Sequence, residues 1–175
     1  MTARCWPRVG WVLRGLAVIG CAIAQLFAIP TASHAEPNGG DPSSPFPATY
    51  FILRYYDKVK FDDYFTNSAG GVWFLTPLGL NCGIWDRGAF GCAGDIRGAP
   101  GTTNIGWVSG QIRMRTDPGF AFLTPPGRGE RELPPRSYIE YNGTTCATMA
   151  DTSTYCSRGQ FRFFVTPTHT WLSPQ

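Results

Sequence analysis

Two matched pairs of cysteines constrain this chain more than any other feature. Cys82 and Cys92 stand ten residues apart, and so do Cys146 and Cys156. Turn-forming residues occupy the middle of each interval: Asp86-Arg87-Gly88 in the first, Ala150-Asp151-Thr152-Ser153 in the second. Two short strands folding back about such a turn bring their sulfurs face to face. Four cysteines allow three pairings; the spacing predicts Cys82–Cys92 and Cys146–Cys156, each stapling a local hairpin. Closing a loop this short contributes roughly 3 kcal/mol in the chain-entropy model, a useful part of a typical stability of about 5–15 kcal/mol. A structural zinc site draws on close C-x2-C pairs and a redox pair reads C-x-x-C; neither spacing occurs among these four.

Disulfides need an oxidising compartment, and the first 35 residues supply the address. Arg4, Arg8 and Arg14 make a positive start, residues 15–29 run without a charge, Pro30 ends the run, and Ser33-His34-Ala35 offers small residues at a cleavage site. This is the layout of a secretory signal peptide, with cleavage expected near Ala35-Glu36 and a secreted, extracellular or envelope location. Cys5 and Cys21 then leave with the signal. Fifteen uncharged residues are too few for a crossing helix, which needs about 20, so no stable transmembrane helix is expected after processing. Val18-Ile19-Gly20-Cys21 resembles a lipoprotein processing site, but the apolar stretch continues past Cys21 where a polar tether belongs. The formal charge of +3 comes from the three signal arginines, and the remainder balances 12 Lys+Arg against 12 Asp+Glu. With no basic run, nucleic acid and anionic lipid are not expected partners.

Residues 36–48, rich in Pro, Gly and Ser, read as a disordered leader, and 49–175 as one domain. Residues 49–66 are aromatic-rich, and the expectation there is a strand over 50–55 followed by a helical turn at 61–65. Strand signals then recur every ten residues or so, separated by Gly and Pro. They fall at 72–75, 80–84, 89–92, 105–108, 111–114 and 120–123, before a charged, Pro-rich surface connection at 124–136 with little to place in a core. The clearest passage is 137–165. Asn142-Gly143 is the strongest two-residue hairpin signal, and successive turns at 150–153 and Arg158-Gly159 make a β-meander. Phe74-Leu75-Thr76-Pro77, Phe122-Leu123-Thr124-Pro125 and Phe164-Val165-Thr166-Pro167 share a strand-end pattern, since proline cannot donate to a ladder. The fold class expected is all-β: a small antiparallel sandwich or barrel with a C-terminal meander, two hairpin disulfides and little helix.

One combination of motifs goes further. Thr76-Pro77-Leu78-Gly79 leads to Cys82-Gly83-Ile84, then Cys92-Ala93-Gly94-Asp95-Ile96. Leu133-Pro134-Pro135 precedes Tyr141-Asn142-Gly143-Thr144-Thr145-Cys146, and Cys156 precedes an aromatic strand and Trp171. Over most of residues 70–172 this resembles a group of small exported actinobacterial proteins of mycobacterial type. The resemblance implies an exported address and a paired-cysteine β fold, and no catalytic residue.

The residues themselves offer little catalytic machinery. His169 is the one histidine after the signal, between Thr168 and Thr170, and reads as a surface or strand-end residue. No G-x-S-x-G, H-E-x-x-H or phosphate-binding glycine loop occurs, and no metal or cofactor is implied. Asp95 and Glu140 are the carboxylates to consider for a glycan hydrolase, which needs two held about 5–10 Å apart. Their alternative roles are a turn cap for Asp95 and, for Glu140, water or an arginine such as Arg162. Asp62-Asp63 reads as a helix start or solvated pair. Asn142-Gly143-Thr144 matches a glycosylation sequon, though a tight turn explains it as well. Among Trp73, Trp85, Trp107 and Trp171, Trp85 stands out beside the Asp86-Arg87-Gly88 turn. An exposed tryptophan on a stapled loop would suit a sugar or protein partner; packing inward is the alternative. The leading expectation is a secreted, non-enzymatic β domain binding an envelope component or protein partner through its surface, with Trp85 as the candidate contact. The alternatives are an envelope glycan hydrolase using Asp95 or Glu140, and a secreted inhibitor-like module.

Overall fold

The computed structural model describes residues 44–108, 111–115 and 127–173. Among the described residues, twelve strands form two six-stranded sheets. The first sheet runs β1 (Asp57–Lys58), β8 (Ser137–Tyr141), β9 (Thr144–Thr148), β10 (Thr154–Arg158), β11 (Phe161–Val165) and β12 (Thr170–Ser173) in spatial order. The second runs β2 (Phe65–Thr66), β3 (Gly71–Leu75), β4 (Asn81–Trp85), β5 (Ala89–Ala93), β6 (Asn104–Val108) and β7 (Gln111–Arg115). Among these strands every pairing is antiparallel except the short β1–β8 edge, and Leu75 of β3 makes one further parallel bridge to Glu132. Both sheets stay open, so the molecule is a sandwich and not a closed barrel.

Local sequence explains the turns. Asn142 and Gly143 both take positive φ, 47° and 77°, as a two-residue hairpin between β8 and β9 requires. The β3 strand stops where Thr76-Pro77 begins, and the Gly79 N–H donates back to the Thr76 carbonyl at 2.8 Å. β11 likewise ends at Val165, before Thr166-Pro167. The third Thr-Pro pair and the strand expected at 120–123 lie outside the described residues, as do the signal segment and most of the leader.

Alternation then builds the core. Val72, Phe74, Cys82, Ile84, Phe90, Cys92 and Ile105 face inward from one sheet, and Ile139, Cys146, Cys156, Phe163 and Val165 from the other; all join one buried cluster. Both disulfides sit within it. Cys82 pairs directly opposite Cys92 across β4–β5, and Cys146 opposite Cys156 across β9–β10, the connectivity expected from the spacing.

Three expectations need correction. Residues 50–55 are not a strand: Thr49–Tyr55 is a helix, α1, followed by the expected helical turn at Phe61–Tyr64. Seven residues without a side-chain cap are too few to hold a helix alone. Packing decides instead: Ile52 and Tyr56 dock on the outer face of the first sheet against Tyr138, Ala147, Tyr155 and Phe164. The packed body also starts earlier than expected, since Phe46 is buried in that same cluster with the Arg162 guanidinium over its ring at 4.3 Å. The 124–136 connection does reach the core. Leu133 is fully buried, and the strap formed by residues 127–133 hydrogen-bonds to β3.

Candidate functional site

Trp85 does not present itself to a partner. It is the last residue of β4 and faces away from the disulfide, but that outer face is covered: Trp85 is 8% exposed, and its ring stacks on Trp73 with centroids 5.3 Å apart. Ala89, directly opposite on β5, leaves room for the bulk. The expectation of an exposed aromatic at a stapled tip therefore fails for Trp85.

The carboxylates are not gathered either. Asp95, in the loop after β5, pairs with Arg97 at 3.3 Å and is exposed. Glu140 belongs to the other sheet and takes Lys58 as its ion-pair partner, not Arg162, with Thr145 Oγ1 donating to it at 3.4 Å. The hydrogen bond and charge of Glu140 raise the Lys58 pKa. His169 lies exposed in the turn before β12, stacked on Trp171 with its Nδ1 2.9 Å from the Thr168 hydroxyl. Asp62 and Asp63 stand in the first turn of the Phe61–Tyr64 helical turn, as expected. No group of three or more His, Cys, Asp or Glu among the described residues is placed to hold a metal ion.

A different set of side chains does converge. Only Val72 and Gly71 of β3 pair with β2. Further along the same edge the strap takes over: the Leu75 N–H donates to the Arg131 carbonyl at 2.8 Å, and the Leu133 N–H to the Leu75 carbonyl at 2.9 Å. Main-chain groups alternate in direction along a strand, so Trp73, two residues before Leu75, also turns its main chain to this edge, where the Phe65–Val72 register sets it opposite Tyr64. A notch of about 60 Å³ opens there. Asp63, Tyr64, Phe65 and Thr66 form one wall, Glu130 and Arg131 the other, and Trp73 lies at the bottom.

Each wall is positioned by identifiable contacts. The Asn81 side chain clamps the strap from both sides, donating to the Gly127 carbonyl at 3.3 Å and accepting from the Gly129 N–H at 2.8 Å. Gly127 lies so close to the Trp73 pyrrole ring that a Cβ there would come within 2.4 Å of Nε1. The Tyr64 hydroxyl donates to the Glu132 carbonyl at 3.1 Å, tying the helical turn to the strap. Burial raises the Tyr64 pKa, with Asp63 adding to the rise and Arg131 opposing it.

Trp73 is 2% exposed, and its indole N–H has no hydrogen-bond partner. Leaving such a donor unpaired costs about 1–3 kcal/mol. Six buried side-chain polar atoms among the described residues lack partners, and of their residues only Trp73 lines this notch. The notch thus brings together charges of both signs and the Tyr64 and Phe65 rings, with Trp73 packed beneath.

The sequence shows why these residues escape notice. Trp73 reads as core, which its ring is. Arg131 and Glu130 read as surface charges on a loop, and nothing local announces that the strap hydrogen-bonds to β3, far earlier in the chain. Compared with known proteins, the chain matches no family model, no curated protein and no solved structure. The architecture of two disulfide-stapled sheets and the notch geometry are therefore the basis for a functional reading.

Proposed function

We propose that this protein is an exported, non-enzymatic β-sandwich domain that binds an envelope component or protein partner, and that the ligand seats in the Trp73 notch. Export rests on the signal-like first 35 residues and the resemblance to small actinobacterial secreted proteins. The disulfides and the lack of a described helix long and apolar enough to cross a membrane are compatible with it. The single observation that carries the binding reading is a notch of mixed polarity at the β3 edge, lined by Asp63, Glu130 and Arg131 beside Tyr64 and Phe65.

Neither alternative gains an observation of its own. The hydrolase reading needs Asp95 and Glu140 together, and each engages a different cation on a different sheet. The inhibitor reading needs a stapled loop free to enter a partner. Here the β4–β5 and β8–β9 turns hold each other, with Asn142 Nδ2 donating to the Asp86 carbonyl and Thr144 Oγ1 to the Gly88 carbonyl at 2.7 Å.

The test is retention of the purified, oxidised protein on the envelope fraction of the cells that export it. Asp63→Asn with Arg131→Ala, both on the exposed rim, should abolish retention, while His169→Ala and Arg97→Ala leave it intact. Equal retention of all four proteins would refute the notch as the binding site.

A further inference from the structure

We infer that Asn142 is a modification site: its side-chain amide is lost through a cyclic imide, a reaction that the docked hairpin tips prevent until they part. Asn142 precedes Gly143, which has no side chain to shield its backbone nitrogen. Both residues are exposed. A glycosylation sequon is a poorer reading of Asn142-Gly143-Thr144. In the folded protein the Thr144 hydroxyl is buried and donates to the Gly88 carbonyl at 2.7 Å.

The reaction needs only water. The Gly143 nitrogen gives its proton to solvent and attacks Asn142 Cγ. The new nitrogen–carbon bond forms, the Cγ–Nδ2 bond breaks, and Nδ2 leaves as ammonia with a proton taken from solvent. Water then opens the imide ring at either carbonyl, leaving aspartate or isoaspartate. Ring closure requires the Gly143 nitrogen and the Asn142 Cβ on the same side of the Cα–C bond. The native turn sets them on opposite sides. Positive φ at both residues of this two-residue hairpin, 47° and 77°, defines a type I′ turn, whose first residue has ψ of roughly +30°. Asn142 must therefore rotate about its Cα–C bond before it reacts.

Two contacts oppose that rotation. Asn142 Nδ2 donates to the Asp86 carbonyl on the β4–β5 tip, and the Asn142 carbonyl accepts from the Arg158 guanidinium. Arg158 is itself fixed, 5.4 Å over the Trp107 ring and so close to Gly88 that a Cβ there would collide with it. The product does not restore the contact. A carboxylate has no hydrogen to donate to the Asp86 carbonyl, and isoaspartate adds a backbone carbon to a turn whose length fixes the strand register. Opening of the tips thus leaves a permanent mark.

The test is peptide mapping by mass spectrometry of the full oxidised protein after incubation in mildly alkaline buffer made with heavy-oxygen water. The label counts aspartate and isoaspartate formed from Asn142. The same protein, reduced and unfolded in denaturant at equal pH and temperature, gives the unprotected rate. Conversion should be at least about tenfold slower in the native protein, as closure of a local structural unit implies. Arg158→Ala or Thr144→Val, each removing one contact that holds the tips, should raise the native rate. The deamidated protein, separated by charge, should show faster hydrogen exchange at 86–88 and 142–144. Native conversion as fast as in the unfolded chain, or a native rate unmoved by both variants, would overturn the protective role of the tips. Unchanged exchange in the deamidated protein would overturn the permanent mark. No conversion in the unfolded chain would overturn the site itself.

Discussion

At the scale of single residues, this structure depends on where side chains are missing. Gly83 lies directly opposite Trp73 across β3–β4, and a Cβ at that position would sit 2.4 Å from the indole Cε3. The glycine lets the ring lie flat over the neighbouring strand and stack on Trp85. Gly83→Ala should therefore destabilise the protein by about 1–3 kcal/mol through overpacking, measured by denaturant unfolding. Because Trp73 has to move, the same substitution should also weaken ligand retention. A neutral effect on stability would show that the indole is not packed against this strand.

Tyr64 gives a pH signature of its own. Burial lifts its pKa above the ordinary tyrosine value near 10, so above that pH the unfolded chain loses the proton before the folded one does. The Tyr64 contribution to stability is thus fully present below about pH 10 and declines as pH rises through the higher folded value. The stability difference between wild type and Tyr64→Phe should be constant at neutral pH and shift against wild type in the alkaline range. A difference that stays flat across that range would contradict the burial of the hydroxyl.

At the scale of elements, the hairpins were the most legible part of the chain. Asn142-Gly143 names its own turn, the ten-residue cysteine intervals place each sulfur opposite its partner, and Thr-Pro marks the ends of β3 and β11. Those signals are local, and local chemistry fixes them. What stayed illegible depends on distant parts of the chain. Residues 49–55 become a helix because the outer face of the first sheet offers Tyr138, Tyr155 and Phe164 as a bed for Ile52. The strand β12 was missed because Thr170–Ser173 is short and only half-buried, its pattern set by pairing with β11. The strap at 127–133 looked like a surface loop until β3 was there to bind it, and the candidate site inherited that blindness.

Two predictions belong to elements. Ile52→Ala should cost about 2–5 kcal/mol, and hydrogen exchange should show residues 49–56 opening ahead of the sheets. Exchange lost uniformly across the molecule would mean the helix is integral to the cooperative unit. Replacing Cys82 and Cys92 together by alanine should lower stability by roughly 3 kcal/mol while the second disulfide still forms. Unfolding of the variant at room temperature would show that this staple is required for folding.

At the scale of the whole molecule, two sheets sharing one buried cluster, both braced by sulfur bridges within it, form a rigid support for the notch on one sheet edge. That design suits an oxidising place of work, where no repair of cytosolic kind reaches the thiols. The proposed export and the disulfides agree with each other, since such bonds persist in oxidising compartments. Intact-mass measurement of the native protein recovered from the extracellular and envelope fractions tests this most directly. The account predicts a chain that begins at Glu36 and lacks four hydrogens relative to its fully reduced form. A cytosolic protein that begins at Met1 and carries Cys82, Cys92, Cys146 and Cys156 as free thiols would contradict it.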